Sequence, residues 1–432
     1  MTPNRTLGFA QLLSYGLLTT PLALAGFALV IYIPTFYAVN MGLGLAAVGA
    51  VFVAGRVFDV VSDPLVGRLS DRTRHRLGPR LIWVMLGTPG FAAATWLLLC
   101  PPEGAGLVYL IAASALFFLF YTIVDVPYSA IGLEISPHHH ERSYLASAKA
   151  VFQVIGAIAA SLIPIVVAAQ MGVALRGIAL GAVVLSLLGA VLLVVFLPRT
   201  EAVPVSRRDP LFAGWVGVLR NPAFLKLITA FFIVQAANAL TAGLMVLFLT
   251  HVIGAPQLVG QMFLLIFAST AVFLPVWVAL SRWRSKRFSW GVSVLFASLV
   301  LAGALFLGTG QIGAIAGFSI ALGAVFGADA VMPTSMLADI VAEDARAAGT
   351  RRAASFLALK NAVSKLTFVV PMGLAFPVLD LVGFDKAGAN DAAALGWLGF
   401  FFAGLPLVLR LAAFVVIQRL PEASPLAEPV SA

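Results

Sequence analysis

The 432-residue chain is 61% hydrophobic and only 10% charged, with a mean hydropathy of +1.03, whereas a soluble globular domain carries about 25% charged residues. That much apolar surface cannot be hidden in one core, so the composition excludes an ordinary soluble enzyme and requires lipid as the solvent. The net charge of +9 would point a soluble chain towards nucleic acid, but here the basic residues stand between apolar runs, which makes the bilayer the expected partner and nucleic acid not one. A single cysteine, Cys100, excludes an intrachain disulfide and a thiolate metal cluster.

A spanning helix needs about 20 mostly apolar residues. Twelve runs qualify, near residues 10–38, 43–69, 81–99, 106–136, 144–170, 174–197, 223–252, 257–280, 288–308, 311–338, 354–383 and 394–418. The first is too long for the apolar stretch of a cleavable signal and lacks a small-residue cleavage site, so it is expected to span. The connections alternate in charge. One set holds Arg5, then Arg68, Arg72, Arg74, Arg76 and Arg80, then Arg142, then Arg199, Arg207, Arg208 and Arg220, then Arg282, Arg284, Lys286 and Arg287, then Arg346, Arg351 and Arg352. The opposite set has Arg176 and Lys386 as its clear cations. The positive-inside rule makes the first set cytoplasmic and puts both termini inside, as an even number of spans requires. A bacterial inner membrane is the expected location.

The basic connection at 198–222 divides six spans from six, and each half has a basic loop after its second span, "SDRTRHRLGPR" and "SRWRSKRFS". The expected fold class is an all-α integral membrane protein of twelve transmembrane helices. Residues 1–197 and 223–418 form two pseudo-symmetric six-helix bundles, 198–222 a cytoplasmic loop and 419–432 a disordered cytoplasmic tail. Two such halves related by an axis along the membrane normal are the major facilitator plan. His138, His139 and His140 could hold a metal, but three histidines in a short loop are far more often simply solvated. A nucleotide-binding glycine-rich loop is not found, so ATP drive is not expected.

An Asp, Lys or Arg at the centre of a spanning helix costs about 2.5–3.5 kcal/mol, so each such residue needs a partner, a cavity or a task. Arg56, Asp59, Asp63, Asp125, Lys149 and Lys365 stand out, with Lys360 nearer a span end. In "RVFDVVSDP", Asp59 and Asp63 are four apart and share a helix face. Two such carboxylates repel, which attracts a small cation or holds a proton. Arg56, three residues before Asp59, neutralises it when the site is empty. In "YTIVDVPYSAIG", Thr122 and Asp125 face the same way, Tyr128 and Ser129 follow one turn on, and Pro127 permits a kink. Lys149 and Lys365 supply balancing positive charge. The plainer reading of these residues is a buried ion-pair network that orders helices and a kinked packing helix.

"RVFDVVSDPLVGRLSDRTRHRLGPR", "YTIVDVPYSA", "ERSYLASAKAVF" and "PTSMLADIVAEDARAAGTRRAASFLALKNAVSKL" resemble, in turn, the second span and its loop, the fourth span, the start of the fifth and the tenth-to-eleventh junction of the glycoside–pentoside–hexuronide:cation symporter family. The resemblance covers both halves. It implies a coupling-cation site, for sodium or a proton, at Asp59, Asp63, Ser62 and Thr122. It also implies a sugar-binding role for Asp125, a substrate-site role for Lys149 and a place near the cation for Lys365. Asp71 and Arg72 match the centre of the general facilitator loop, whose role is gating and topology. Three departures weaken a galactoside substrate. Ala23 stands where the family's best-known sugar carrier has an aspartate. No tryptophan follows Asp125. Lys149 replaces an arginine and its bidentate fork.

The function expected from the sequence is secondary active transport without covalent chemistry or a cofactor beyond the coupling ion. The carrier is expected to work as a monomer, with a monovalent cation and a small solute as its ligands. No metal is expected beyond a sodium ion at Asp59 and Asp63. The solute falls to Asp125, Tyr128, Lys149, Gln235 and Asn238, and its reciprocal coupling to the cation drives alternating access. Three alternatives stand beside sugar symport: a lysophospholipid or amphiphile carrier, a cation-coupled efflux antiporter on the same fold, and a non-transporting scaffold.

Overall fold

The computed structural model describes residues 8–73, 75–135, 139–167, 171–197, 217–348, 353–385 and 390–420. The expected tail from 421 onward, His138 and residues 198–216 of the central connection lie outside these, as do the side chains of Asp71, His139 and His140. Among the described residues the structure is all-helical, and twelve helices are long and apolar enough to cross a membrane. They are α1 Phe9–Ile31, α2 Leu45–Ser70, α3 Leu81–Leu99, α4 Leu107–Gly132, α5 Ser147–Val166 and α6 Met171–Phe196. They continue with α7 Pro222–Ile253, α8 Pro256–Trp283, α9 Lys286–Ala304, α10 Ile312–Asp344, α11 Ser355–Leu381 and α12 Ala392–Gln418. The protein is an integral membrane protein.

The placement of side chains follows from lipid as solvent. On α6, Ala179, Ala182, Ser186, Gly189 and Ala190 are buried, while Leu180, Val184, Leu188, Val191 and Val195 stand exposed. Small residues inside let backbones approach, and large apolar ones outside meet acyl chains. In water that outer face would be a large adhesive patch. Helix starts use ordinary caps. Asn221 accepts from the amides of Ala223 and Phe224 with Pro222 in the first turn, Ser285 accepts from Phe288, and Asp391 accepts from Ala394.

Two compact units result. One comprises Met1–Leu211, Pro256–Leu264 and Met372–Asn390; the other comprises Phe212–Ala255, Leu265–Pro371 and Asp391–Ala432. In the first, α1 packs on α5 and α6, α4 on α2 and α3, and α3 on α6. Gly49 of α2 lies so close to the chain at Met372 that a Cβ there would come 2.2 Å from its carbonyl oxygen. In the second, α12 packs on α7 and α9, and α10 on α7 and α9. Gly323 serves α10 in the same way against the Ile266 backbone of α8.

Candidate functional site

The helix that begins at Leu45 runs unbroken to Arg72 through Pro64. Proline has no N–H, so the Val60 carbonyl, between Asp59 and Asp63 in the chain, loses its ordinary helical donor. Gly55 lets α2 close on α4, since a Cβ would fall 2.0 Å from the Phe118 ring, and the Arg56 guanidinium sits 5.5 Å above that ring. Arg56 Nη1 reaches Asp59 Oδ2 at 3.3 Å, with Asp59 only 1% exposed. This ion pair spans one helical turn and lies over an aromatic face, which gives the buried carboxylate a partner at lipid depth.

Thr122 of α4 is fully buried. Its Oγ1 lies 3.3 Å from Asp59 Oδ1, 3.2 Å from Asp63 Oδ1 and 3.5 Å from Ser62 Oγ. A hydroxyl carries one hydrogen and cannot donate to two carboxylates at once. One of its two carboxylate contacts is therefore oxygen against oxygen, which a proton or a small cation in the gap turns from repulsive to favourable. Asp59, Asp63, Ser62 and Thr122 are thus brought together as four oxygen-bearing side chains, with the Arg56 guanidinium on the other carboxylate oxygen of Asp59.

One turn further along α4 the chemistry changes. Lys149 Nζ of α5 lies 2.6 Å from Ser129 Oγ and 3.4 Å from Asp125 Oδ1, and both charged side chains remain 27% exposed. The ammonium also stands 5.0 Å over the Tyr128 ring. Ser129 Oγ is 3.3 Å from Asp125 Oδ1. The Tyr128 hydroxyl donates to the Tyr15 carbonyl and meets Thr19 Oγ1 at 2.7 Å, so α1 occupies it and the residue is fully buried. Tyr128 therefore offers its ring face to Lys149, and its hydroxyl holds α1 against α4. Asp125 and Lys149 are left as an accessible pair of opposite charges able to exchange each other for a polar ligand.

In the last turn of the helix that carries α2, Arg72 is exposed, while Arg80 is buried just before α3 and reaches Ser70 Oγ at 2.7 Å. In the second unit Lys365 is part-buried on α11, and Lys360 reaches Thr334 Oγ1 at 2.9 Å and lies 5.3 Å over the Phe231 ring.

The second unit also holds charges that sequence reasoning passed over. Arg410 of α12 and Asp329 of α10 pair at 2.9 Å with 1% and 2% exposure. The same Arg410 Nη2 donates to Asn238 Oδ1. Asn238 Nδ2 donates to Asp329 Oδ2 at 3.2 Å and to Gln235 Oε1 at 3.0 Å. Trp290 Nε1 of α9 completes the cluster at 3.3 Å from Asp329 Oδ1. Asn238, expected among the solute ligands, spends both amide hydrogens and one oxygen lone pair inside this cluster. The signal in the sequence was a lone charge in an apolar run, "FGADAVMP" and "LVLRLAAF".

The comparisons with known proteins agree with this architecture. The MFS/sugar transport protein family matches residues 14–422. The symporter sll1374 of Synechocystis sp., itself uncharacterized, is 24% identical over 95% of this chain and 93% of its own. The sodium-dependent lysophosphatidylcholine symporter 1 of Gallus gallus is 25% identical over 86% of this chain and 78% of its own. Among solved structures, a bacterial homolog of the human lysosomal transporter Spinster, inward-facing and unoccupied, superposes with a TM-score of 0.71 at 14% identity, covering 94% of this chain and 96% of that one. That likeness shows the fold. The chain belongs to the MFS/sugar transport family of the major facilitator superfamily, in the group of the glycoside–pentoside–hexuronide:cation symporters.

Proposed function

We propose that this protein is a cation-coupled symporter of a small polar solute, working by alternating access in a bacterial inner membrane with both termini cytoplasmic. The observation that carries the reading is Thr122, whose one hydroxyl hydrogen faces two carboxylates and leaves a gap for sodium or a proton. The coupling ion binds among Asp59, Asp63, Ser62 and Thr122, and its charge relieves the repulsion between the two acids. The solute engages Asp125 and Lys149 in the first unit, where the pair is part-exposed. Because Thr122 and Asp125 share one face of α4, cation and solute each tighten the other's binding. Arg56 pairs with Asp59 when the cation site is empty, Lys365 balances charge, and the loop bearing Asp71 and Arg72 gates.

A lysophospholipid is the second reading. It is favoured by the relative whose name says that it carries lysophosphatidylcholine with sodium, and by Ala23 where a sugar ligand is expected. The two are separated by uptake of methyl β-D-glucoside, D-glucuronate and lysophosphatidylcholine into proteoliposomes, with and without sodium and at two pH values. Concentrative uptake of one solute that requires the cation and disappears in Asp59→Asn supports the proposal. Cation-independent uptake, or uptake untouched by Asp59→Asn, defeats it.

A further inference from the structure

The buried cluster of the second unit fixes a direction as well as a set of contacts. Arginine has donors and no acceptor. The Asn238 atom that meets Arg410 Nη2 must therefore be Oδ1, which turns Nδ2 towards Asp329 and Gln235. Gln235, one helical turn before Asn238 on α7, can answer that N–H only with its own oxygen. Its Nε2 is then left over, and among the described residues nothing accepts from it. Both amide residues are part-buried, whereas Arg410 and Asp329 are almost wholly buried. Arg410 Nε and Nη1 are buried without a partner among the described residues. A buried ion pair is seldom retained for stability, because apolar residues of similar volume often serve better. Setting the orientation of two amides is a task that apolar residues cannot perform.

We propose that Arg410 and Asp329 are positioning residues that, through Asn238, fix Gln235 as a hydrogen-bond donor, so that the second unit takes the solute by an acceptor oxygen: a hydroxyl, carboxylate or phosphate oxygen. The chain of bonds Arg410 to Asn238 to Gln235 runs in one sense and polarises each successive donor. A ligand that offers only donors at that point finds an unmatched N–H and is rejected. The proposal rests on the reading of the chain as a solute carrier, and it deepens that reading by assigning a polarity to one of the solute's contacts.

The test is an exchange of neighbours, Asn238→Asp together with Asp329→Asn. Composition, net charge and an ion pair to Arg410 are all kept. The carboxylate at position 238 now accepts from Gln235 as well as from Arg410, so Gln235 turns its nitrogen inward and its oxygen outward. In protein carrying 15N in its glutamine side chains, the signal absent from Gln235→Ala identifies the residue. Its Nε2 hydrogens are expected to exchange freely with solvent in the natural protein and roughly tenfold or more slowly in the exchanged variant. Affinity for whichever of methyl β-D-glucoside, D-glucuronate or lysophosphatidylcholine the natural protein takes is expected to fall about tenfold or more, with cation affinity unchanged. Equal exchange rates overturn the positioning role. Slowed exchange with unchanged affinity overturns the role of Gln235 towards solute. If the natural protein takes none of the three, the carrier reading fails for those solutes, and the exchange rates still judge the positioning. Should the double variant not fold, Gln235→Glu keeps an oxygen for Asn238 and places a second oxygen where the donor was. The same loss of affinity is expected there, and its absence overturns the proposal.

Discussion

Replacing Thr122 by valine keeps the β-branch and the volume of a fully buried side chain and exchanges one hydroxyl for a methyl between two carboxylates. In the empty site that hydroxyl satisfies one of Asp59 Oδ1 at 3.3 Å and Asp63 Oδ1 at 3.2 Å. With an ion present it does two things: its hydrogen still serves a carboxylate, while its oxygen contacts the cation or accepts from a protonated acid. The filled site therefore loses one charged oxygen contact more than the empty one. A hydrogen bond to a charged group is worth about 1.5–3 kcal/mol, which is roughly a 10- to 150-fold loss of cation affinity. The assay is the sodium or proton concentration giving half-maximal solute uptake in proteoliposomes, with folding checked by gel filtration. Thr122→Ser restores the oxygen and should recover most of the affinity. A valine variant whose half-saturating cation concentration stays within a factor of about two of the natural protein refutes the assignment of the ion to this gap.

Other perturbations read other parts of the structure. Asp125→Asn breaks a pair that is 27% exposed on both sides, so thermal stability should change by no more than about 1 kcal/mol while solute uptake is lost; retained uptake contradicts the role of Asp125. Asp329→Asn strands the buried Arg410 and should cost about 3–5 kcal/mol, seen as a much lower melting temperature that Arg410→Gln in the same chain partly restores. Gly323→Ala brings a Cβ to 2.3 Å from the Ile266 carbonyl oxygen; backbone cannot yield as a side chain does, so about 1–3 kcal/mol of destabilisation is expected, and an unchanged melting temperature refutes the close approach of α8 and α10. Cys100 lies just past the end of α3, and burial raises its thiol above the usual range against the opposing charge of Arg176. Thiolate is then scarce at neutral pH, so maleimide labelling should be slow and climb only as pH passes the ordinary thiol range; Arg176→Ala should slow it further, and fast labelling at neutral pH refutes the burial.

The twelve spans were legible because lipid forces each of them to be long, apolar and internally hydrogen-bonded. Their ends were less so. The helix at α10 runs on as far as Ala348, past the expected end near 338, because an α-helix continues into charged sequence as readily as into apolar sequence until something breaks it. Asp59 and Asp63 announced themselves through spacing within one helix. Asp329 and Arg410 did not, for each is a lone charge and its partner lies 81 residues away in the chain. Tyr128 illustrates the same limit: its place on the Asp125 side of α4 follows from helical period, but the engagement of its hydroxyl by Thr19, 109 residues earlier, belongs to packing.

In each half of the chain the fourth span carries an aspartate shortly before a proline, Asp125 before Pro127 and Asp329 before Pro333, and each pairs with a cation from another helix of its own unit. The pairs differ in the two properties that decide what an ion pair can do. Asp125 meets a lysine at 3.4 Å in a part-exposed setting, and an ammonium on a flexible stem can leave one oxygen for another at small cost. Asp329 meets an arginine at 2.9 Å where neither side chain is more than 2% exposed, and a planar guanidinium holding two acceptors on one nitrogen has nowhere to go. Separating the buried pair leaves two uncompensated charges at lipid depth, whereas the accessible pair trades its partner for water or ligand oxygen. The same acid in the same span is thus a replaceable ligand in one unit and a fixed pin in the other. On that physical ground the exchange of ion and solute proposed above belongs with the accessible pair of the first unit, and the proposed orientation of Gln235 belongs with the fixed cluster of the second.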